Sequence, residues 1–140
     1  MIRLLAAAIV ALASSKVIAM DSLAALEWKN RVVVVFGNPE DPKLDQQIAL
    51  LASQENELTD RDMFIIRVSG GEARAVYGDG DNLRLDAAAI RKDADVSDGP
   101  FQVVLLGKDG SVKLRSKRIV ENIEIFDLID SMPMRRAEKG

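Results

Sequence analysis

Residues Phe101–Arg115, FQVVLLGKDGSVKLR, limit the fold more than any other stretch. Val103, Val104, Leu105 and Leu106 form an unbroken apolar run, the pattern of a strand covered on both faces. Lys108-Asp109-Gly110 supplies turn chemistry, because glycine takes the positive φ that tight hairpins require. Beyond the turn the pattern alternates. Val112 and Leu114 are predicted to face the core, and Lys113 and Arg115 water. The second strand is therefore the more peripheral of the two. Val32-Val33-Val34-Val35-Phe36 matches the buried run in density and β-branching, and it is the expected neighbour.

The segments around this pair read as follows. Asp41 suits a helix N-cap and Pro42 the first helical position. Leu44, Ile48, Leu51 and Leu58 lie on one stripe, which predicts a helix from about Pro42 to Glu57. Met63–Val68 reads as a second strand, so strand, helix and strand imply a parallel, right-handed crossover. Ser69–Leu85, bracketed by glycines, reads as a mobile surface loop with room for one short strand. Asp86 is placed to cap a short helix running to about Asp93. Asn122–Met132 is predicted helical, with Ile123, Phe126, Leu128, Ile129 and Met132 on one broad face and Pro133 ending it. Trp28, just before the first strand, is expected to pack in the core or at its rim.

The chain has 140 residues, enough for one core. Arg3, the apolar Leu4–Ala13 and the small-residue pattern at Val17-Ile18-Ala19 resemble a secretory signal cleaved after Ala19. That divides the chain into a signal (1–19), a lead-in (20–27), one domain (28–132) and a polar tail (133–140), whose residues from Met134 are expected to fray. The expected location is periplasmic or extracellular, without a permanent membrane anchor. Losing residues 1–19 removes two of the 19 basic residues and none of the 22 acidic ones, for a net charge of about −5. Mild acidity argues against a general nucleic-acid binder. There is no Cys and no His. Thiol–disulfide exchange, a disulfide-linked partner, a Ser-His-Asp triad and a Cys₂His₂-type zinc site are thereby excluded for this chain.

The element order resembles the thioredoxin fold over residues 28–132: α/β, β-α-β-α-β-β-α, with a mixed central sheet and helices on both faces. In that family the loop after the first strand carries paired cysteines. Here that loop, Gly37–Pro42, has none. The resemblance also implies a cis-proline before the hairpin, which would fall at Gly99–Pro100. Three motifs are similar to a narrower family: Trp28-Lys29-x-Arg31; Gly107-Lys108-Asp109-Gly110 with Lys113-Leu114-Arg115; and Asp130-x-Met132-Pro133-Met134-Arg135. It is a domain of unknown function in exported bacterial proteins, with related domains in animal equarin and sushi-repeat-containing extracellular proteins. That resemblance implies a thioredoxin-like fold outside the cytoplasm and brings no catalytic residues.

Two surfaces are candidates for contact. The edge formed by Asn38, Pro39, Glu40, Asp41, Gly99, Pro100 and Phe101 is where thioredoxin-like proteins take extended peptides. Lys113, Arg115, Lys117 and Arg118 form a basic patch that either keeps an edge strand from associating or meets an acidic partner. Glu40 and Asp41 make the first helix's N-terminus a poor anion site. Asp79, Asp81, Asn82 and Asp86 form an acidic loop whose spacing fails the calcium-loop pattern, because Ile90 and Lys92 occupy the twelfth positions. Asp93, Asp95 and Asp98 show no better spacing. The expected function is a redox-inactive, exported binding or accessory module, more non-catalytic than catalytic, with no cofactor, no metal and an unidentified protein or peptide partner. The alternatives are a carboxylate-based hydrolase or transferase, and a metal-stabilised structural protein.

Overall fold

The computed structural model describes residues 20–139; the signal-like segment 1–19 lies outside the described residues. A 3₁₀ helix (Asp21–Leu26) leads into β1 (Arg31–Phe36), α1 (Pro42–Ala52), α2 (Glu55–Asp60), β2 (Met63–Ser69) and β3 (Glu72–Tyr77). Then come α3 (Ala87–Ala94), β4 (Gln102–Leu106), β5 (Val112–Ser116), α4 (Asn122–Asp130) and α5 (Pro133–Lys139). The five strands form one sheet in the order β3-β2-β1-β4-β5. β1 runs parallel to β2 and antiparallel to β4, with Val34 opposite both Ile66 and Val104. The parallel β1–β2 pairing and the β1–β4 pairing are those the apolar runs imply.

Each sheet face carries its own core. Val32, Val34, Phe36, Phe64, Ile66, Val104 and Leu106 pack under the 3₁₀ helix and α3. Val33, Val35, Ile65, Val103 and Leu105 pack under α1, α2 and α4. Met20, Leu23 and Leu26 are buried in the first of these, so the lead-in belongs to the folded domain.

Several expectations need correction. The helix over Pro42–Glu57 is two helices. The chain turns at Ser53, whose hydroxyl bonds the Leu50 carbonyl at 2.6 Å, and Gln54 leaves helical geometry with φ −130° and ψ 58°. That offset lets α2 bring Leu58 into the core. The short strand for which Ser69–Leu85 left room is β3, which pairs antiparallel with β2 across a turn where Gly70 has φ +58°. Trp28 does not pack in the core: it is 64% exposed and sits at φ +66°. Ile123 is likewise exposed, and Ile125 takes the buried position on α4. Pro133 ends α4 but also opens α5, so the expected frayed tail is a helix through Lys139. Val112 and Leu114 do not share a face. A bulge beside Lys113 breaks the register with β4, so Val112 packs into the first core and Leu114 into the second.

Candidate functional site

The β1–α1 loop is held by its own polar groups. Asn38 accepts the Glu40 N–H at its side chain (3.2 Å) and the Asp41 N–H at its carbonyl (2.9 Å). Asp41 caps α1 by accepting the Lys43 N–H at 2.9 Å, and Pro42 opens the helix. Asn38, Pro39 and Glu40 are exposed. The facing segment Gly99–Phe101 differs from expectation in two respects. The Gly99–Pro100 peptide is trans. Phe101 is 6% exposed and belongs to the core under α1, with the Lys43 ammonium 6.0 Å from its ring centre. Phe101 therefore anchors this end of the sheet, and the exposed part of the predicted edge is Asn38, Pro39, Glu40 and Pro100.

Lys113 and Arg115 lie on the outer strand β5, and Lys117 and Arg118 just after it. This basic patch borders a cleft of about 640 Å³ lined by Gln102, Leu114, Ser116, Val120, Glu124 and the cations Arg115, Lys117 and Arg118. Gln102 follows Phe101 directly, so the cleft continues from the β4 end of the other predicted edge. Arg118 is paired with Glu124 at 3.2 Å, and Lys113 with Asp109 at 3.2 Å. The Glu121 backbone N–H, and then Arg118, hold the Glu124 carboxyl below the usual glutamate range. Arg115 and Lys117 are exposed and have no ion-pair partner among the described residues.

One wall of this cleft is fixed by a residue that sequence reading passed over. Gln47, fully buried on α1, donates to the Val120 carbonyl (3.0 Å) and accepts the Val120 N–H (2.8 Å). The amide thus acts as a backbone surrogate, satisfying both polar groups of a buried loop residue. Its local signal is only a polar position on an otherwise apolar stripe.

The opposite end of the sheet gathers the quoted motif residues. Arg31, 1% exposed, donates through both terminal nitrogens to Glu138 (3.2 and 3.1 Å) and also to the Arg61 carbonyl. Lys108 bonds Glu138 at 2.8 Å and Asp62 at 2.9 Å. Arg61 and Arg135 share Asp130, and Arg135 also clamps Asp60 at 2.6 Å. Burial pushes the Glu138 carboxyl up, but Lys108 and Arg31 outweigh it and hold it below the usual range. First the Arg61 hydrogen bond, against partial burial, and then Arg135 do the same for Asp130. Trp28 and Asp62, both non-glycine residues in left-handed geometry, sit at this corner. The Trp28 N–H donates to the Lys108 carbonyl and the Asp62 carbonyl accepts the Arg31 N–H. The cations here are matched by carboxylates, so the corner works as an ionic clamp that fastens α5 to β1 and to the β4–β5 turn.

Four of the acidic residues in these segments are committed to partners within the fold. Asp79 accepts the Asp81 N–H, Asp86 caps α3 through the Ala89 N–H, Asp93 accepts the Ser22 N–H and Asp98 pairs with Arg91. Among the described residues, no three acidic side chains converge as a metal site would require.

A family model described as a domain of unknown function (DUF4174) matches residues 22–138. Among curated proteins, the chain is 28% identical over 132 residues to coiled-coil domain-containing protein 80 of Danio rerio. The match covers 83% of this chain but only 15% of that protein's length. Among solved structures, the reduced 2-Cys peroxiredoxin of Plasmodium vivax aligns with a TM-score of 0.57 and 18% identity, over 84% of this chain and 85% of that one. Thioredoxin peroxidase I of Plasmodium yoelii aligns at 0.54 and 17%, over 84% and 79%. At these identities the likeness is one of fold, and that fold is thioredoxin-like. The chain belongs to the DUF4174 family, a domain whose function is unknown.

Proposed function

We propose that this protein is a redox-inactive, exported binding module that uses the thioredoxin-like scaffold for contact instead of chemistry. The observation that carries the reading is the β1–α1 loop. It occupies the place where the fold family carries thiols, yet it presents Asn38, Pro39 and Glu40 to solvent in a chain with no cysteine. The same end of the sheet leads into the cationic cleft through Gln102. Export is supported by the signal-like residues 1–19.

The test is site-specific photocrosslinking in the native compartment. Photoreactive residues replace Pro39 or Lys117, and a control probe replaces the exposed Asp81 on the acidic loop. The expected result is a discrete adduct from position 39, 117 or both, and none from 81. Silence from both probes in a folded, exported protein, or equal labelling from all three, would remove the binding-module reading.

A further inference from the structure

We infer that the outer strand β5 takes an extended acidic peptide segment as an added strand, with carboxylates meeting Arg115 on the strand and Lys117 just past its end. This rests on the binding-module reading and names the partner's chemistry. Among the described residues the sheet ends at β5, and the backbone groups of Val112–Ser116 that point away from β4 have no strand partner there. Such an edge is a template for strand addition unless its side chains forbid it. Here they select. Arg115 and Lys117 are exposed, two residues apart, and unpaired among the described residues. Arg115 lies within β5, and Lys117 lies in the bend just beyond the strand's end at Ser116. A neighbouring strand that carries Glu or Asp opposite Arg115 and another carboxylate where it passes Lys117 sets opposite charges across the pairing, which favours it.

The cleft beside β5 gives the segment room. Its volume is about 640 Å³, and its apolar lining comes from Leu114 and Val120. It is preformed at Val120, whose backbone is fixed by the Gln47 amide. The backbone after β5 is also committed: the Ser116 hydroxyl accepts the Arg118 N–H at 3.1 Å and donates to the Arg118 carbonyl at 2.8 Å. This local turn limits the added strand to Val112–Ser116 and leaves Arg118 at the cleft's end, paired with Glu124. A second copy of the chain is disfavoured, because antiparallel pairing of β5 with itself about Leu114 would set Lys113 against Arg115. A long polyanion is disfavoured because the cations follow a single strand edge, Glu124 stands in the cleft wall, and the chain as a whole carries a net charge of −3.

The experiment uses the full domain and a fluorescent peptide of alternating Glu and Val, followed by anisotropy. Controls are the same peptide with Gln for Glu, and one N-methylated along a single edge so that strand pairing is blocked while charge is kept. The expected result is saturable binding of the Glu peptide, weakened at least tenfold by either control and by the Arg115→Glu/Lys117→Glu double variant. These two side chains are exposed, and an unchanged thermal midpoint confirms that the variant folds. Equal binding of the N-methylated peptide would overturn strand addition. Equal binding of the Gln peptide would overturn the acidic preference. A sulfated polysaccharide bound through Arg115 and Lys117, with the peptide unbound, would replace the inference with a polyanion site. Crosslinks from position 39 or 117 without peptide binding would defeat this inference alone. Loss of both would defeat the binding-module reading as well.

Discussion

Arg31 shows what a single buried charge demands. Its guanidinium, 1% exposed, relies on the Glu138 carboxylate from the far end of the domain, which is itself 28% exposed. Replacing that carboxylate by an amide removes its charge and one of the two acceptor oxygens that Arg31 uses, leaving one amide oxygen and the Arg61 carbonyl. Glu138→Gln is therefore expected to cost about 3 kcal/mol, the lower end for breaking a buried pair, measured by urea unfolding. A loss under about 1 kcal/mol would mean that the clamp is a surface pair in energetic terms. Gln47 makes a different demand. Gln47→Ala leaves a buried N–H and a buried carbonyl on Val120 unsatisfied, for an expected loss of about 2–4 kcal/mol in the same assay. Trp28 is the chain's one tryptophan, so its fluorescence reports its exposure cleanly. Emission of the folded protein is expected to lie close to that of a free indole and to change little on unfolding. A large red shift on unfolding would mean that the ring is packed away from water.

At the scale of elements, legibility in the sequence followed apolar density. Val32–Phe36 and Val103–Leu106 are buried on both faces, so each residue carries the signal, and their pairing was readable. β3 was not. Its Glu72-Ala73-Arg74-Ala75 alternation is written in alanines, because an edge strand with partly buried residues needs little apolar surface. The seven-residue α5 was missed for another reason. Arg135 and Glu138 hold it to Asp60, Asp130, Arg31 and Lys108, contacts no local window contains. The candidate site divides in the same way. The cations of β5 were visible as an alternating edge, whereas Gln102, Val120 and Glu124 reach the cleft from other elements. In the other predicted edge Asn38, Pro39, Glu40 and Pro100 are exposed, Asp41 and Gly99 are half-buried, and Phe101 fills the core.

Over the whole molecule, five carboxylates share a direction. Asp60, Asp109, Glu124, Asp130 and Glu138 all titrate below their ordinary range. Folded values below the unfolded ones mean that their stabilisation is complete above the unfolded range, about pH 4–4.5, and fades as pH falls through the folded values. Stability is thus expected to be flat near neutrality and to decline below about pH 4.5, more shallowly in an Asp130→Asn/Glu138→Gln variant. Parallel acid dependence in wild type and variant would place the acid-sensitive charges elsewhere.

The measurement that bears most directly on the central claim is amide hydrogen exchange of the domain with and without the alternating Glu-Val peptide. The account predicts slower exchange at those β5 amides, within Val112–Ser116, whose N–H groups point away from β4, together with unchanged exchange on β3. Unchanged β5 amides under saturating peptide, or slowing confined to β3 or to Asn38–Asp41, would contradict it.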